Sequence, residues 1–281
     1  MSGTLFVVAT PIGNLEDITL RALRVLREAA VIAAEDTRRT AILLQRHAIS
    51  TPTVSLHEHN ERQRTPGLLR RLQAGEDIAL VSDAGTPLIS DPGARLVDAA
   101  LEAGLRVEPI PGPSAVATAL AASGLAADRF TFLGFAPARA GERQRWLAAV
   151  RDVPGLLVYF EAPHRVRDSL RDLASILGNR QIVLGRELTK AHESIVRGWA
   201  AELAETAIPQ RGEFTILVSD RKRSASKDSD PTDATVLVAD FRQMTENGEV
   251  SSRDAVASIA SRHAMPRQDV YAVLRRAGEI G

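Results

Sequence analysis

The sequence predicts an α/β protein built from two α/β domains, with a small helical module at its C-terminal end. Three observations predict this class. Strand-like and helix-like segments alternate from the first residues onward. Pro111-Gly112-Pro113 breaks this alternation into two sets, and a polar, charged tract follows the second set. The predicted boundaries are 1–112 and 113–220 for the two α/β domains, 221–233 for a mobile linker and 234–281 for the helical module.

The first half of the chain alternates short apolar segments with amphipathic ones, which is the rhythm of βαβ units. This rhythm predicts a mostly parallel sheet covered by helices. The predicted strands are Thr4–Ala9, Val31–Ala34, Val54–Leu56, Ile78–Val81 and Val107–Ile110. The predicted helices are Asp17–Ala30, one that contains Ile42, Leu43 and Leu44, Pro66–Gln73, and one that begins after Gly93.

The second half has the same alternation and then becomes helical. Its predicted strands are Arg129–Phe135, Leu156–Phe160, Gln181–Leu184 and Phe214–Val218, and its predicted helices are Ser114–Ser123, Arg143–Val150 and His164–Leu177. In the last fifty or so residues we expect a helix over Ala234–Thr245, a second one opened by a capping box of Ser251 and Asp254, and a third one lined by Val270, Val273 and Leu274. Two short helices joined by a tight turn form a helix-turn-helix shape, which is more often a packing unit than a nucleic-acid reader.

The composition excludes several classes of protein. Lys and Arg together number 35, as do Asp and Glu, so any nucleic-acid binding must use local basic patches. The chain has no Cys, which excludes disulfides, thiolate chemistry and Cys-ligated zinc. No basic segment followed by a long apolar run opens the sequence, and no apolar stretch approaches about 18 residues. We therefore expect a cytoplasmic protein without a signal peptide or a membrane span.

The stretch from Leu80 to Gly93 is the most informative one. It runs from a predicted buried strand into a loop with two Asp, two Gly and two Pro. In open α/β sheets, ligands bind at the carboxyl ends of strands. Ser and Asp side chains bond ribose hydroxyls or an amine, and Gly lets the backbone approach a ligand closely. We interpret the loop as a ligand-binding loop; a tight structural turn is the alternative.

Two other strand ends in the first half are polar. Glu35–Thr40 is either a salt-bridged helix start capped by Asp36 or an arginine pair that grips phosphate. His57 and His59 are spaced so that both could bind a metal ion from an extended segment. The sequence shows no third candidate ligand, so we predict no metal site. The first predicted strand ends in Ala9–Asp17, which has neither a Gly-x-Gly-x-x-Gly nor a Gly-Lys-Thr motif. Dinucleotide and Walker-type phosphate binding therefore have little support.

Two strand ends in the second half are also rich in polar groups. Arg186–Glu193 is the densest charged cluster, and its Glu187 and Lys190 stand three residues apart. They form either an ordinary surface ion pair or a pair whose pKa values are shifted toward acid–base work. Tyr159–Arg165 ends another strand beside a proline and is a further candidate wall of a cleft.

Six motifs follow one another in a characteristic order: Val8–Thr19, Glu35–Arg38, Ser82–Pro87 with Ser90–Gly93, Pro111–Ala115, Phe160–Arg165 and Arg186–Lys190. Together they resemble the ribosomal RNA branch of the tetrapyrrole-methylase superfamily, also called class III S-adenosylmethionine methyltransferases. The resemblance spans residues 4–218, and the C-terminal helical module is similar as well.

The resemblance implies two α/β domains of the tetrapyrrole-methylase type, with S-adenosylmethionine in the cleft between them, and a homodimer. It further implies 2′-O-methylation of the ribose of cytidine 1402, in the decoding centre of 16S rRNA within the small ribosomal subunit. No membrane partner and no metal are expected.

Clustered charge and the resemblance together make Glu187 and Lys190 the expected catalytic residues. One would accept the proton of the ribose hydroxyl, and the other would position or stabilise the developing alkoxide. The expected cofactor-binding residues are Pro11, Gly13, Asp83, Ala84, Gly85, Pro111, Gly112, Pro113 and Ser114. The expected contacts to the RNA backbone are Arg38, Arg39, Arg62, Arg64, Arg139, Arg143 and Arg145, unless these are only solvated helix faces.

Relatives that modify tetrapyrroles carry Gly-x-Gly-Pro-Gly-Asp in the first loop and Gly-Asp-Pro-x-x-Tyr-Gly in the second. This chain has Thr10–Asn14 and Ser82–Pro87 there, which favours the ribosomal branch. Two alternatives remain open. A tetrapyrrole methyltransferase of the same fold would act without ribosomes, and a non-catalytic assembly factor would bind the subunit without transferring a methyl group.

Overall fold

The computed structural model describes residues 2–222, 231–245, 250–263 and 265–280. The chain divides into a compact unit that ends at Lys222 and a second unit that follows it. The first unit contains two five-stranded sheets. Both sheets lie within this one unit, and a division into separate domains at 112/113 stays a prediction.

The first sheet is entirely parallel, as predicted for this half of the chain, with the strand order β3-β2-β4-β1-β5. Its strands are β1 (Thr4–Val8), β2 (Val31–Ala34), β3 (Thr53–Ser55), β4 (Ile78–Val81) and β5 (Arg106–Ile110). Every residue of β2 and β4 is buried, since helices cover both faces of a parallel sheet. The helices are α1 (Leu20–Glu28), α2 (Thr37–Arg46), α3 (Glu61–Gln73) and α4 (Ala94–Glu102).

Two helix starts differ from the prediction. Helix α1 begins at Leu20 instead of Asp17, because residues 15–17 form a 3₁₀ turn and Thr19 caps the helix by accepting a hydrogen bond from the backbone N–H of Ala22. Helix α3 begins at Glu61, five residues before Pro66, where the sequence had placed its start. Pro66 lies in the second turn of α3, where its ring removes one backbone hydrogen bond, and the helix continues through it.

The second sheet is mixed, with the strand order β6-β7-β10-β8-β9. Strands β6 (Phe130–Phe135) and β7 (Leu156–Glu161) are parallel, and the other neighbours are antiparallel. The remaining strands are β8 (Arg180–Arg186), β9 (Ser194–Trp199) and β10 (Phe214–Lys222). Helices α5 (Ala115–Ser123), α6 (Ala140–Ala149), α7 (Val166–Leu177) and α8 (Ala200–Glu205) belong to this half.

Strand β9 and helix α8 were not predicted. Strand β9 is an edge strand, and its apolar residues Ile195 and Val196 are exposed. They are followed by Arg197 and Gly198, which interrupt the strand pattern. An edge strand pairs on one side only, so its sequence is less constrained than that of a central strand.

In the described residues of the second unit, three helices form: α9 (Pro231–Thr245), α10 (Ser252–Arg262) and α11 (Arg267–Arg276). Ser251 caps α10, since its hydroxyl accepts from the backbone N–H of Asp254 and donates to the Asp254 carboxylate. Residues 221–222 of the predicted linker end β10, and residues 231–233 begin α9. Residues 223–230 of that linker lie outside the described residues. Within the described ranges, no helix is both long and apolar enough to cross a membrane.

Candidate functional site: a pocket between the two sheets

A pocket of about 480 Å³ opens between the loops of the two sheets. This volume lies in the range of small-molecule sites. The first sheet contributes the loops after β2 and β4 and the start of α5, and the second sheet contributes the end of β6 and the segments 160–163 and 212–215. The loop after β4 is the one that the sequence predicted to bind a ligand.

Backbone and side-chain hydrogen bonds tie three predicted loops together. Thr10 and Gly85 form a two-bond bridge, with N···O distances of 2.8 and 3.0 Å. The Thr86 hydroxyl donates to the carbonyl oxygen of Pro113 at 3.3 Å. Gly85 has a φ of +81°, a conformation that side chains disfavour, and a Cβ there would lie 3.4 Å from Ile12. Parallel strands end at one edge of their sheet, so the loops after β1, β4 and β5 meet there.

The loop after β4 has unusual backbone geometry. Leu88 and Ser90 have φ values of +72° and +66°, in the left-handed region that residues other than glycine seldom adopt. Such conformations occur at ligand-binding loops, where the surrounding structure holds them in place. The geometry therefore supports the interpretation of this segment as more than a simple turn.

Three carboxylates, Glu35, Asp83 and Asp91, line the first-sheet side of the pocket together with Arg39. Asp83 accepts hydrogen bonds from the backbone N–H of Asp36 at 3.0 Å and from the Arg39 guanidinium at 3.1 Å. Its own backbone N–H donates to Glu35 at 3.2 Å. These bonds join the loop after β2 to the loop after β4.

Asp91 is the carboxyl of this wall with the largest upward shift in pKa. Burial raises the pKa of Asp91 to about 6, against the effect of a hydrogen bond with Ser82 and with help from the nearby charges of Glu35 and Asp83. Burial also raises the pKa of Glu35. A carboxylate with a pKa near 6 is ionised at neutral pH and is still basic enough to accept a proton in a reaction.

Glu161 lies on the second-sheet side of the pocket with its side chain fully buried. Its Oε1 accepts from the Arg165 Nε and from the backbone N–H of Ala162, both at 2.8 Å. Its Oε2 has no partner within the described part of the chain. Buried carboxylate oxygens are rarely unpaired, so this atom is a polar group for which the protein alone provides no partner.

Glu187 and Lys190 form an ion pair, with Lys190 Nζ 3.0 Å from Glu187 Oε1. Lys190 also pairs with Glu213 at 2.9 Å, and Glu213 lines the pocket. Burial alone would raise the pKa of Glu187, but hydrogen bonds from Lys190 and from the Glu213 backbone lower it. Burial alone would lower the pKa of Lys190, but its bonds to Glu213 and Glu187 raise it. Both groups are therefore charged at neutral pH, and Glu187 is a weak base.

This charged cluster lies beside the first loop of the chain. The backbone N–H of Asn14 donates to the Thr189 hydroxyl at 3.0 Å. A Cβ on Gly13 would lie 2.4 Å from the Lys190 side chain, so only glycine fits there. Glu187 and Thr189 both have a left-handed backbone, with φ values of +50° and +67°. The expected catalytic residues and the expected cofactor loop are thus brought together.

The expected cofactor-binding residues divide into two groups. Asp83, Ala84, Gly85 and Ser114 line the pocket. The others lie next to it without lining it and shape the loops that do: Pro11, Gly13, Pro111, Gly112 and Pro113. Position 112 favours glycine, since a Cβ on Gly112 would lie 3.0 Å from the Cβ of Ala9.

Six of the seven arginines expected to contact RNA are exposed: Arg38, Arg39, Arg62, Arg64, Arg139 and Arg145. Arg38 pairs with Asp36, which also caps α2, so the salt-bridged helix start is what forms here. Arg143 is a correction. It is 3% exposed, and its Nε donates to Asp172 at 2.7 Å. The position of Arg143 within α6 turns it toward α7, so we remove it from the RNA-contact set.

Sequence reasoning assigned no role to several pocket residues, namely Glu35, Asp91, Phe135, Glu161 and Glu213. Three of them, Glu35, Asp91 and Glu161, lie in motifs that the sequence had singled out, and their position at or after strand ends is the signal that could have found them. Glu213 directly precedes β10 and lies outside those motifs. Phe135 had no such signal, because an aromatic residue at the end of a strand ordinarily predicts core. Of the described residues, no group of three His, Asp or Glu is arranged to hold a metal ion.

Known proteins share this fold. The family described as Tetrapyrrole (Corrin/Porphyrin) Methylases matches residues 4–204. Diphthine synthase superposes with a TM-score of 0.62 at 15% identity, over 79% of this chain and 92% of that one. Uroporphyrin-III C-methyltransferase from Thermus thermophilus, solved with S-adenyl homocysteine, superposes with a TM-score of 0.56 at 22% identity, over 78% and 98%.

Proteins of similar sequence are named Ribosomal RNA small subunit methyltransferase I. The one from Pseudomonas aeruginosa is 53% identical over 223 residues, which cover 78% of this chain and 79% of that protein. The one from Escherichia coli O157:H7 is 44% identical over 274 residues, which cover 96% and 93%.

Two sheets with a pocket between their loops form a fold that this chain shares with the solved structures above. The family match and the relatives above go further, and the chain belongs to the tetrapyrrole (corrin/porphyrin) methylase family.

Proposed function

We propose that this protein is an S-adenosylmethionine-dependent ribosomal RNA methyltransferase. In this proposal it methylates the ribose 2′-oxygen of cytidine 1402 of 16S rRNA in the small ribosomal subunit. The observation that carries the proposal is the pocket between the sheets, combined with 44% identity to a small-subunit rRNA methyltransferase over 96% of the chain. We further propose that it acts in the cytoplasm as a homodimer.

The residues of the pocket fit S-adenosylmethionine. The cofactor carries a sulfonium and an ammonium group, and the wall of Glu35, Asp83 and Asp91 against a single Arg39 is net negative. The cofactor's hydroxyl and amino groups are hydrogen-bond donors, and the unpaired Oε2 of Glu161 is an acceptor without a donor. Asp83, Gly85 and Ser114 would hold the cofactor, which supplies an electrophilic methyl group when it is bound.

The protein must then position a ribose hydroxyl and accept its proton. A hydroxyl is a poor nucleophile at neutral pH, so a base that accepts the proton during attack increases the rate. Asp91 faces the pocket, has a raised pKa and has no cation paired with it in the described structure. We assign proton acceptance from the 2′-hydroxyl to the carboxylate of Asp91. This assignment differs from the sequence-based expectation of Glu187 or Lys190.

Glu187 and Lys190 stay in the proposal as positioning residues. Lys190 acts on the pocket through Glu213, and Glu187 fixes the Lys190 ammonium and the backbone of Glu213. The positive charge of Lys190 also favours a developing alkoxide nearby. The exposed arginines Arg38, Arg39, Arg62, Arg64, Arg139 and Arg145 are proposed to contact the RNA backbone, with an affinity that falls as salt rises.

Lys190→Ala is expected to lower kcat by about 10- to 100-fold, the equivalent of losing a hydrogen bond to a charged group. Steady-state methyl transfer measures this, and Lys190→Arg, which keeps the charge, should restore part of it. The affinity for S-adenosylhomocysteine should change little. If Lys190→Ala and Glu187→Gln both keep full turnover, the pair has no part in positioning.

Asp83→Ala is expected to weaken S-adenosylmethionine binding by about tenfold or more, because one hydrogen bond to a charged group is lost. Isothermal titration calorimetry measures the dissociation constant. Asp83→Asn is the matched variant, since the amide oxygen can still accept from the Asp36 N–H while the negative charge is removed. An unchanged dissociation constant in both variants would contradict the role of Asp83.

A substrate panel tests the proposed function. Labelled S-adenosylmethionine is incubated with the protein and with small ribosomal subunits, free rRNA or a tetrapyrrole. We expect label on the subunits from cells that lack the enzyme. Label on the tetrapyrrole alone would assign the protein to the tetrapyrrole branch, and tight subunit binding without label would indicate an assembly factor.

A further inference from the structure

Phe135 is a large aromatic side chain that the fold leaves exposed at the pocket. It is the last residue of β6, it lines the pocket, and 61% of its surface is exposed. Among the large apolar side chains that are exposed in the described part of the chain, Phe135 and Ile89 are the two that line the pocket. A ring that is exposed inside a pocket of ligand size, instead of on the open surface, is available to pack against a bound molecule.

A β-bulge directs Phe135 toward the pocket. Phe132 of β6 pairs with Val158 of β7, but Phe135 pairs with Phe160, so three steps along β6 match two along β7. Gly134 has a φ of +71° at this irregularity. Side chains alternate between the two faces of a sheet, and without the bulge Phe135 would lie on the opposite face from Phe132. Bulges of this kind re-aim side chains beside functional sites.

The neighbouring rings hold Phe135 in place. Phe132 and Phe160 make an edge-to-face contact with centroids 5.0 Å apart, and Phe135 lies 5.2 Å from Phe160 at an angle of 58°. Phe160 also lines the pocket. The loop after β4 approaches from the other side, since a Cβ on Gly134 would lie 3.6 Å from the Ser90 hydroxyl. Phe135 is therefore held in place by Phe160, while most of its ring surface is free to contact a bound molecule.

The charge of the pocket limits what can lie against this ring. Glu35, Asp83 and Asp91 outnumber Arg39 on the opposite wall. Phosphate groups are repelled there, whereas the uncharged base of a nucleotide is not. Bases taken out of an RNA stack are commonly held by aromatic side chains.

We propose that Phe135 is the stacking platform for the base of the nucleotide that is methylated. This inference rests on the proposed function, because the target ribose must come within reach of the methyl group in the pocket, and a nucleotide that enters the pocket leaves its neighbours in the RNA stack. The ring then replaces the stacking that the base loses. The pyrimidine of the target nucleotide is the occupant, rather than the adenine of the cofactor or a second copy of the chain.

The test compares Phe135→Ala, Phe135→Trp and Phe130→Ala with the unaltered protein, using small ribosomal subunits as the substrate. Loss of one base stack corresponds to about a 5- to 100-fold rise in KM for the subunit. We expect this rise in Phe135→Ala and its recovery in Phe135→Trp. Phe130 lies on the same strand, is 44% exposed and does not line the pocket, so Phe130→Ala should leave KM unchanged.

Two further measurements distinguish the molecules that could pack against Phe135. An increased dissociation constant for S-adenosylhomocysteine in Phe135→Ala would assign the ring to the cofactor adenine and overturn the proposal. A change of oligomeric state in light scattering would assign it to a subunit contact, with the same consequence. An unchanged KM in an active Phe135→Ala protein would also overturn it. If the unaltered protein methylates no ribosomal substrate, the proposed function itself fails, and this inference fails with it.

Discussion

Asp91→Asn is expected to lower kcat for methyl transfer by about 100- to 10,000-fold, the range that general base catalysis contributes. The amide has the shape of the carboxylate and cannot accept the proton of the ribose hydroxyl. The affinity for S-adenosylhomocysteine should change little, since Asp83 and Glu35 still make the wall negative. Single-turnover kinetics with saturating small subunits measures the chemical step directly.

The pH dependence gives a second readout of the same residue. The pKa of Asp91 is raised to about 6, so the activity of the unaltered protein should rise as the pH rises through about 6 and then level off. Asp91→Asn should lose this limb of the profile. Asp98→Asn is the matched control, because Asp98 is exposed on α4 and does not line the pocket. An Asp91→Asn protein with full activity and an unchanged profile would show that another group accepts the proton.

The same shift predicts an effect on stability with a definite sign. A carboxyl whose pKa is higher in the folded state than in the unfolded state binds more protons when folded. The stability that protonated Asp91 provides is therefore lost as the pH rises from about 4 to about 6. At pH 7 the residue is ionised, desolvated and close to Glu35 and Asp83. Asp91→Asn should melt at the same temperature as the unaltered protein or at a higher one, which separates lost catalysis from lost fold.

Asp172→Ala is expected to lower the free energy of unfolding by about 3–5 kcal/mol, because it leaves a buried arginine without its partner. Arg143 donates to Asp172 from its Nε at 2.7 Å, and Gln144 donates to the other carboxylate oxygen at 2.8 Å. Urea unfolding followed by circular dichroism gives the free energy. The free energy of unfolding extrapolated to water should fall. The dissociation constant of the folded protein for S-adenosylhomocysteine should stay unchanged.

The exposed pair of Arg139 and Glu142 is the control for this prediction, since it lies at the start of the same helix, with Arg139 at the N-cap of α6 and Glu142 in its first turn. Arg139→Ala should change the free energy of unfolding by less than about 1 kcal/mol. If Asp172→Ala is no more destabilising than Arg139→Ala, the Arg143–Asp172 pair does not stabilise the fold.

The parallel sheet, and the loops that follow its strands, could be predicted from the sequence alone. Apolar segments of four or five residues with turn residues behind them mark β1, β2 and β4. Parallel strands deliver their carboxyl ends to one edge, so the convergence of Thr10, Gly85 and Pro113 follows from the topology. The family motifs added the second half of the pocket, including Phe160–Arg165.

Other features depend on contacts between distant residues, and no local pattern contains them. Arg143 looks like any surface arginine of a helix until α7 places Asp172 beside it. The pKa of Asp91 depends on Ser82, Glu35 and Asp83, which meet only after the sheet has formed. Phe135 faces the pocket because of a one-residue bulge, and the residue pattern of a strand cannot reveal such a shift in register.

We propose that this pocket transfers a methyl group to one ribose oxygen of small-subunit rRNA. The most direct test is to label small ribosomal subunits from cells that lack the enzyme, using the purified protein and labelled S-adenosylmethionine, and then to hydrolyse the rRNA in alkali. A 2′-O-methyl group blocks alkaline cleavage at its own nucleotide, so we expect the label in a single alkali-resistant dinucleotide that contains the decoding-centre cytidine. Label recovered in ordinary mononucleotides would show methylation of a base instead and would contradict the claim.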